Sequence, residues 1–345
     1  MSTPAHRPTA PRRATLKDVA RAAGVSPSTT SRALSGEGYV AAAVRARVRR
    51  AAEQLGYVPH AMARGLRTQI SRSVGVVLPD LRRPFYADLA AGVAARARAH
   101  GYTVLLVDDR GAAEDELAAA RTFVSTRAAG VVVTPTSAAV TGYLLDQQVP
   151  VVEVERQLSP GRCDAVVVDH RRVARRVTEH LLGLGHRRVA LLVDGTDANT
   201  GAEFTRGHAD AVAAAELPAD PGLLVPVGRD VDAARRATVG LLTGPDRPTA
   251  LCAADEVLAE GLWRAVGDVG LRVPDDVSVA SFDDAPWMDL VSPGMTAVAQ
   301  DVVALGAAAL DLLLARLAFP DEPPRTVVLD AELVPRGSTA VPRPR

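Results

Sequence analysis

Residues 14–34, ATLKDVARAAGVSPSTTSRAL, decide the reading of this chain. They read as two short helices joined by a tight turn. Thr15 can cap the first helix, and Asp18, three residues on, closes a capping box. Leu16, Val19 and Ala20 then repeat on one face. Gly24 ends the helix where a positive φ costs little, and Val25 plugs the turn. Ser26 is a good N-cap, and Pro27 stands at the first helical position, where its missing N–H is no loss. Ser28, Thr29, Ser31 and Arg32 follow on a second helix with small polar side chains. A helix of so little bulk carrying one arginine can enter a DNA major groove. A surface hairpin of no function is the alternative for this stretch alone.

The head extends outward from there. Residues 41–56 predict a third amphipathic helix, with Val44, Val48, Ala51 or Ala52, and Leu55 inward and Arg45, Arg47, Arg49 and Arg50 toward water or phosphate. Its start is weak, because Ala41 occupies the cap position. Residues 1–13 are Pro- and Arg-rich without periodicity and are expected to be a disordered basic tail. Residues 60–69, HAMARGLRTQ, are too short for a stable isolated helix, and form a candidate switch that folds only when covered.

Charge separates head from body. The 345-residue chain has 40 basic and 40 acidic residues, yet residues 1–70 carry a net +9 and the remainder −9. A basic head on an acidic body is the footprint of nucleic-acid binding by the head. Lys17 is the one lysine among the basic residues. No apolar run reaches the length of a membrane span, and the N-terminus lacks a secretory pattern, so a cytoplasmic protein is expected. Cys163 and Cys252 lie in apolar strand-like contexts and read as buried reduced thiols.

From Ser73 the pattern becomes strand-then-helix. Val-rich runs at 74–80, 102–109, 130–135, 150–155 and 164–169 alternate with helical stretches at 85–100, 114–127 and 137–147. The alternation resumes with strands at 188–194, 223–227, 249–255 and 277–284. Helices at 171–184, 200–215, 231–243 and 256–267 lie between them. Such strands imply parallel sheets buried on both faces. Two series imply two doubly wound α/β subdomains, with ligands at the C-terminal strand ends. A last helix spans 300–317, and 326–338 reads as one returning strand.

These stretches together resemble the lactose-repressor/galactose-repressor (LacI/GalR) family over residues 14–338. The resemblance rests on TLKDVARAAGVSPSTTSRAL, GYVPHAMARGL, PFYADLAAGV, LGHRRVALL, RPTALCAADEVLAEG, GLRVPDDVSVASFDD, SPGMTAVAQ and LVPRGST, in that order. It implies a helix-turn-helix domain (14–58), a hinge helix (59–70) and a periplasmic-binding-protein-like core (71–345). Within the core the N-subdomain covers about 71–169 and 299–324, and the C-subdomain about 170–298 and 325–340. It implies a homodimer on near-palindromic double-stranded operator DNA with a central CpG. No leucine-heptad tail follows 338, which favours a dimer over a tetramer.

The resemblance also carries residues. Thr15, Ser26, Pro27, Ser28, Thr29, Ser31 and Arg32 match DNA-contacting positions. Pro27 and Ser28 stand where base edges are read, and neither offers a long donor. Arg32 matches an arginine that pairs with guanine, with a phosphate contact as its alternative. Thr30 replaces an apolar residue and can bond back to its own helix. Ala63 and Leu66 match the pair that packs in the minor groove, Leu66 as the wedge. His60 and Gly65 depart from the pattern and soften the hinge.

The effector positions are Phe85, Tyr86, Asp169, Asn199, Thr200, Phe204, Asp255, Asp283 and Trp287. For the aspartates, helix capping is an equal alternative; for Phe85 and Phe204, core packing is. Trp287 could stack on a sugar. Phe204 replaces an arginine, so an anionic effector loses a partner, and the aspartates suit a neutral polyol. The expected function is a repressor of a catabolic operon released by a neutral sugar. NTGA at 199–202 keeps a purine co-repressor open, with the opposite sign of response. No phosphate loop, nucleophile elbow or metal-spaced His/Cys set supports an enzyme, and no cofactor is implied. His100, His170, His180, His186 and His208 read as scattered at helix ends or polar faces. A secreted sugar carrier is excluded by the basic head. Leu66→Ala is expected to weaken operator binding while non-specific binding persists, read by titration of both DNAs; equal loss on both would rule out the wedge.

Overall fold

The computed structural model describes residues 14–35, 38–57, 72–195 and 199–343. The basic tail 1–13 and the hinge 59–70, with Ala63 and Leu66, lie outside these residues. The chain divides into two compact units, residues 1–71 and 72–345.

The head contains α1 (Leu16–Ala23), α2 (Pro27–Ser35) and α3 (Ala42–Gln54). The capping box forms in full: Asp18 N donates to Thr15 Oγ1 at 3.3 Å, and Thr15 N to Asp18 Oδ2 at 2.9 Å. Gly24 ends α1 in the left-handed region at φ 62°. Ser26 Oγ accepts from Thr29 N at 3.1 Å and so starts α2. Val19, Ala23, Ala33, Val48, Ala51 and Ala52 make the small core, with Val25 and Val44 packed against it. Ala41 supplies no side-chain cap to α3. Two expectations are corrected: Leu55 is 41% exposed, because α3 stops just before it, and Arg45 is half-buried.

The core holds two six-stranded sheets. The first runs β11-β5-β4-β3-β1-β2, all parallel, from β1 (Ser73–Leu78), β2 (Thr103–Asp108), β3 (Val131–Val133), β4 (Val151–Val154), β5 (Asp164–Val168) and β11 (Thr326–Leu329). The second runs β12-β10-β9-β8-β6-β7, from β6 (Val189–Asp194), β7 (Leu224–Val227), β8 (Ala250–Ala253), β9 (Ser278–Phe282), β10 (Thr296–Gln300) and β12 (Ala331–Val334). Only its β10–β12 pairing is antiparallel. The helices are α4 (Pro84–Ala99), α5 (Ala113–Ser125), α6 (Ala138–Asp146), α7 (His170–Gly183), α8 (Asn199–Ala214), α9 (Val231–Thr243), α10 (Glu256–Asp268), α11 (Trp287–Leu290) and α12 (Val302–Ala318). Central strands such as β1 and β9 are buried on both faces, which is why they read as unbroken apolar runs.

The tail differs from its expectation. It is two four-residue strands broken at Asp330: β11 joins the first sheet and β12 the second. The segment 325–340 therefore does not lie wholly in the second subdomain. His170, His186 and His208 are buried rather than on polar faces. His186 bonds Thr249 at 2.9 Å and Ser278 at 3.1 Å, and His208 bonds Thr178 at 3.0 Å. Burial lowers all three pKa values, His208 to about 4. Cys163 and Cys252 are buried free thiols, each pushed up to about 12 by burial.

Helices α4 and α12 cross on reciprocal glycines. A Cβ on Gly92 would fall on the Val303 carbonyl, and one on Gly306 on the Leu89 carbonyl. Gly306→Ala is therefore expected to cost about 1–3 kcal/mol. Gly240→Ala in exposed α9, with nothing within 4 Å, is expected to gain up to about 1 kcal/mol. Urea unfolding of the two variants checks the contrast; equal effects would mean the helix crossing does not depend on the missing side chain.

Candidate functional site

The head offers one small exposed surface. Helix α2 turns Thr30 and Ala33 into the core, which leaves Pro27, Ser28 and Arg32 exposed and Thr29 and Ser31 half-buried. Thr30 is fully buried, and its hydroxyl donates to Ser26 O at 3.0 Å, so its polarity is absorbed within the helix. Ser26 Oγ lies 2.9 Å from both Ser28 Oγ and Thr29 Oγ1, which holds these hydroxyls together at the start of α2. Thr15, exposed at the start of α1, is held by Asp18.

In the core, the C-terminal ends of strands from both sheets line a charged inner chamber of about 30 Å³. Its walls carry Phe85 and Tyr86 from α4, Thr200 and Phe204 from α8, Asp255 after β8 and Asp283 after β9. These were expected from the sequence. Its walls also carry Arg83, Glu155, His170, Asp194, Arg229 and Gln300, which were not. Arg156 adjoins them and donates to the Tyr86 hydroxyl at 3.1 Å.

Charge pairing organises this chamber. Arg83, which immediately precedes α4, reaches Glu256 at the start of α10, donating through Nε and Nη2 at 2.5 Å each. The pair joins the two subdomains and is nearly buried, with side chains 10% and 8% exposed. Asp255 lies 3.8 Å from the same guanidinium. It caps α10 through Leu258 N at 2.8 Å and accepts from Arg229 Nε at 3.0 Å. Arg229 also stands 3.4 Å from Asp194. Arg83 packs over the Tyr86 ring, 5.2 Å from its centroid.

Asp283 differs from these paired acids. Desolvation in the cleft, with the neighbouring Glu256 charge, pushes its pKa well above the usual carboxylate range. Burial also raises Glu256, but the Arg83 bond outweighs it and leaves Glu256 below its ordinary value. Asp283 is thus the acid of the two whose charge the cleft disfavours, and Gln300 Nε2 donates to its Oδ1 at 2.5 Å.

Glu155 and Asp283 follow the third strand from the same edge of their respective sheets. Both adopt left-handed backbone, at φ 68° and 72°. This conformation is uncommon for residues with side chains and collects at functional sites.

Other expected residues fare differently. Asp169 caps α7, accepting from Arg172 N at 2.9 Å, and lines a second chamber next to the first. Phe85 and Phe204 are both buried and lining: the Phe204 ring stands edge-on to Phe282 at 4.5 Å and to His170 at 5.3 Å. Trp287 packs against the hydrophobic core and is not among the residues lining either chamber. Asn199 begins α8, but its side chain lies outside the described residues. Phe204 stands where an arginine was expected to be missing, but Arg83, Arg156 and Arg229 bring three arginines to the cleft from strand ends and loops. Placing ligands at strand ends applies equally to Glu155, Asp194 and Arg229, so their position was a usable signal. Among the described residues, no group of three or more His, Cys, Asp or Glu could hold a metal ion. None of their helices is long and apolar enough to cross a membrane.

A helix-turn-helix head on a two-sheet core with a polar cleft defines a ligand-responsive DNA-binding regulator. Residues 15–60 match the model of bacterial regulatory proteins of the lacI family, and residues 178–339 that of a periplasmic binding protein-like domain. The regulator PtxS of Pseudomonas aeruginosa is 32% identical over 95% of this chain and 96% of its own. The structure of the regulator CelR with cellobiose superposes with TM-score 0.73 at 28% identity, covering 94% of this chain and all of that one. The lac repressor dimer bound to operator and the anti-inducer ONPF superposes with TM-score 0.86 at 25% identity, covering 95% of this chain and all of that one. The chain belongs to the LacI family and is a DNA-binding transcriptional repressor with an effector-binding core.

Removing one partner of a buried ion pair leaves the other uncompensated, at about 3–5 kcal/mol. Arg83→Leu and Glu256→Leu are each expected to destabilise the core by that order, and the double variant to recover most of it. Urea denaturation checks the cycle; additive losses would show that the pair does not act as a unit.

Proposed function

We propose that this repressor binds its operator as a homodimer and is released by a small neutral sugar. The observation that carries the effector reading is the internal pairing of the cleft. Each guanidinium there stands opposite a carboxylate: Arg83 with Glu256, Arg156 with Glu155, and Arg229 with Asp255. A charged ligand would have to break such a pair, whereas hydroxyl groups can donate to the carboxylates and accept from the guanidiniums at once. The cellobiose in the CelR structure is a ligand of that kind. The dimeric, operator-bound lac repressor supports the same use of the head.

On this reading Arg32 and the Ser28 edge of α2 meet the major groove, while Thr15 and Ser26 meet phosphates. The sugar stabilises one arrangement of the subdomains over the other. Its leverage is its difference in affinity for the two, about 1.4 kcal/mol for each tenfold change in operator binding.

The test is titration of upstream DNA with and without a panel of neutral sugars and purines. Release by a sugar is expected; tightening by a purine would select the co-repressor reading. Arg32→Ala should relax base preference at one operator position, costing about 1–3 kcal/mol there. Uniform weakening across sequences would make it a phosphate contact. Asp283→Ala should abolish the ligand response and leave operator binding intact.

A further inference from the structure

We propose that residues 333–338, LVPRGS, are a latent cleavage site for an arginine-specific serine protease, held shut by the second sheet and opened only when the C-terminal strap lifts off it. The string has what such an enzyme reads. Arg336 can enter an acidic specificity pocket. Pro335 and the apolar Leu333 and Val334 precede it, and the small Gly337 and Ser338 follow. Water then splits the Arg336–Gly337 peptide bond, leaves a carboxylate on Arg336 and an amine on Gly337, and releases residues 337–345.

The native geometry blocks each step of recognition. The enzyme needs the arginine side chain free. Arg336 is only 18% exposed, donates to the two oxygens of Asp284 at 2.7 Å each, and donates to Met295 O at 2.8 Å. The enzyme needs the preceding residues lifted into its own cleft. Leu333 and Val334 lie in β12, paired with Val298 and Ala297 of β10, and Leu333 packs against the core. The enzyme needs the scissile carbonyl free to be polarised. The Arg336 carbonyl accepts from Thr296 Oγ1 at 3.2 Å, and the Arg336 N–H donates to the same oxygen at 3.0 Å. Beyond the bond, Ser338 is fully buried; its hydroxyl donates to Val279 O at 2.6 Å and accepts from Thr296 N at 2.7 Å.

The site is nevertheless at the surface, because Pro335 and Gly337 are exposed. Bonding closes it rather than depth. Opening it requires release of the strap alone: Arg336 from Asp284, Ser338 from Val279 and Thr296, and Ala340 from Ser278, to which it donates at 3.1 Å. Local openings of this kind cost less than global unfolding. When they reclose fast, the rate of cutting follows their population. Asp284 follows Asp283 in the loop that lines the cleft, so the opening that exposes Arg336 also frees part of the cleft wall.

The experiment is digestion of the full-length protein with thrombin, with the products identified by mass, beside a synthetic peptide of residues 330–340. The native protein is expected to be cut at Arg336 at least about a hundredfold more slowly than the peptide. In sub-denaturing urea its rate, taken relative to the peptide at the same urea, should rise with a slope smaller than that of global unfolding, since the strap exposes little surface. Asp284→Asn, which removes the charge opposite Arg336, should speed cutting at least about tenfold, with melting curves to establish that the variant is folded. A native protein cut as fast as the peptide overturns the closure, and a peptide left intact overturns the site. A urea slope equal to the global one, or a folded Asp284→Asn cut no faster than the unsubstituted protein, overturns opening by the strap alone.

Discussion

The cleft of this repressor depends on bringing charged strand ends together with little water between them. Acids reach it from both sheets, and three arginines pair with four of them: Glu256, Glu155, Asp255 and Asp194. Charges removed from water are tolerated only when paired and hydrogen-bonded. Pairing therefore dictates the geometry. Arg83 fits Glu256 through two parallel bonds, and its remaining nitrogen is left for something else. Apolar surfaces could have closed the cleft in many registers; a bidentate guanidinium–carboxylate pair closes it in one.

The two halves of the core share a backbone plan but not a chemistry. Glu155 and Asp283 stand at corresponding strand ends with the same left-handed backbone. Glu155 lies against Arg156, while Asp283, its pKa raised by burial and by Glu256, takes the Gln300 amide. One side of the cleft thus presents an ion pair and the other a carboxyl whose charge is disfavoured. A ligand sandwiched between them meets an asymmetric surface, which fixes its orientation.

The legible parts of the sequence were those decided locally. Thr15, Asp18, Gly24, Ser26 and Pro27 mark helix ends through bonds within a few residues, and the buried strands announce themselves as apolar runs. The tail misled because β11 and β12 are separated by Asp330 alone, so two short strands in different sheets looked like one. Arg83 was hidden for another reason: its partner is 173 residues away. Beside Pro84 it looks like a solvated arginine on a turn. His170 looked like a polar helix end, yet the crossover turns it in against Phe204 and Phe282.

A repressor core must keep two arrangements close in free energy if a small molecule is to choose between them. Buried ion pairs suit that need because desolvation nearly offsets their attraction. The Arg83–Glu256 pair joins the two subdomains without locking them. What tips the balance must then be bonds that exist only when ligand is present. Thr200 Oγ1 and Arg83 Nη1 are such bonds in waiting, buried by the fold and left unmet by it. Each is a cost to the protein alone and a gain to the protein with a hydroxylated ligand, and that difference is the effector's leverage on the equilibrium.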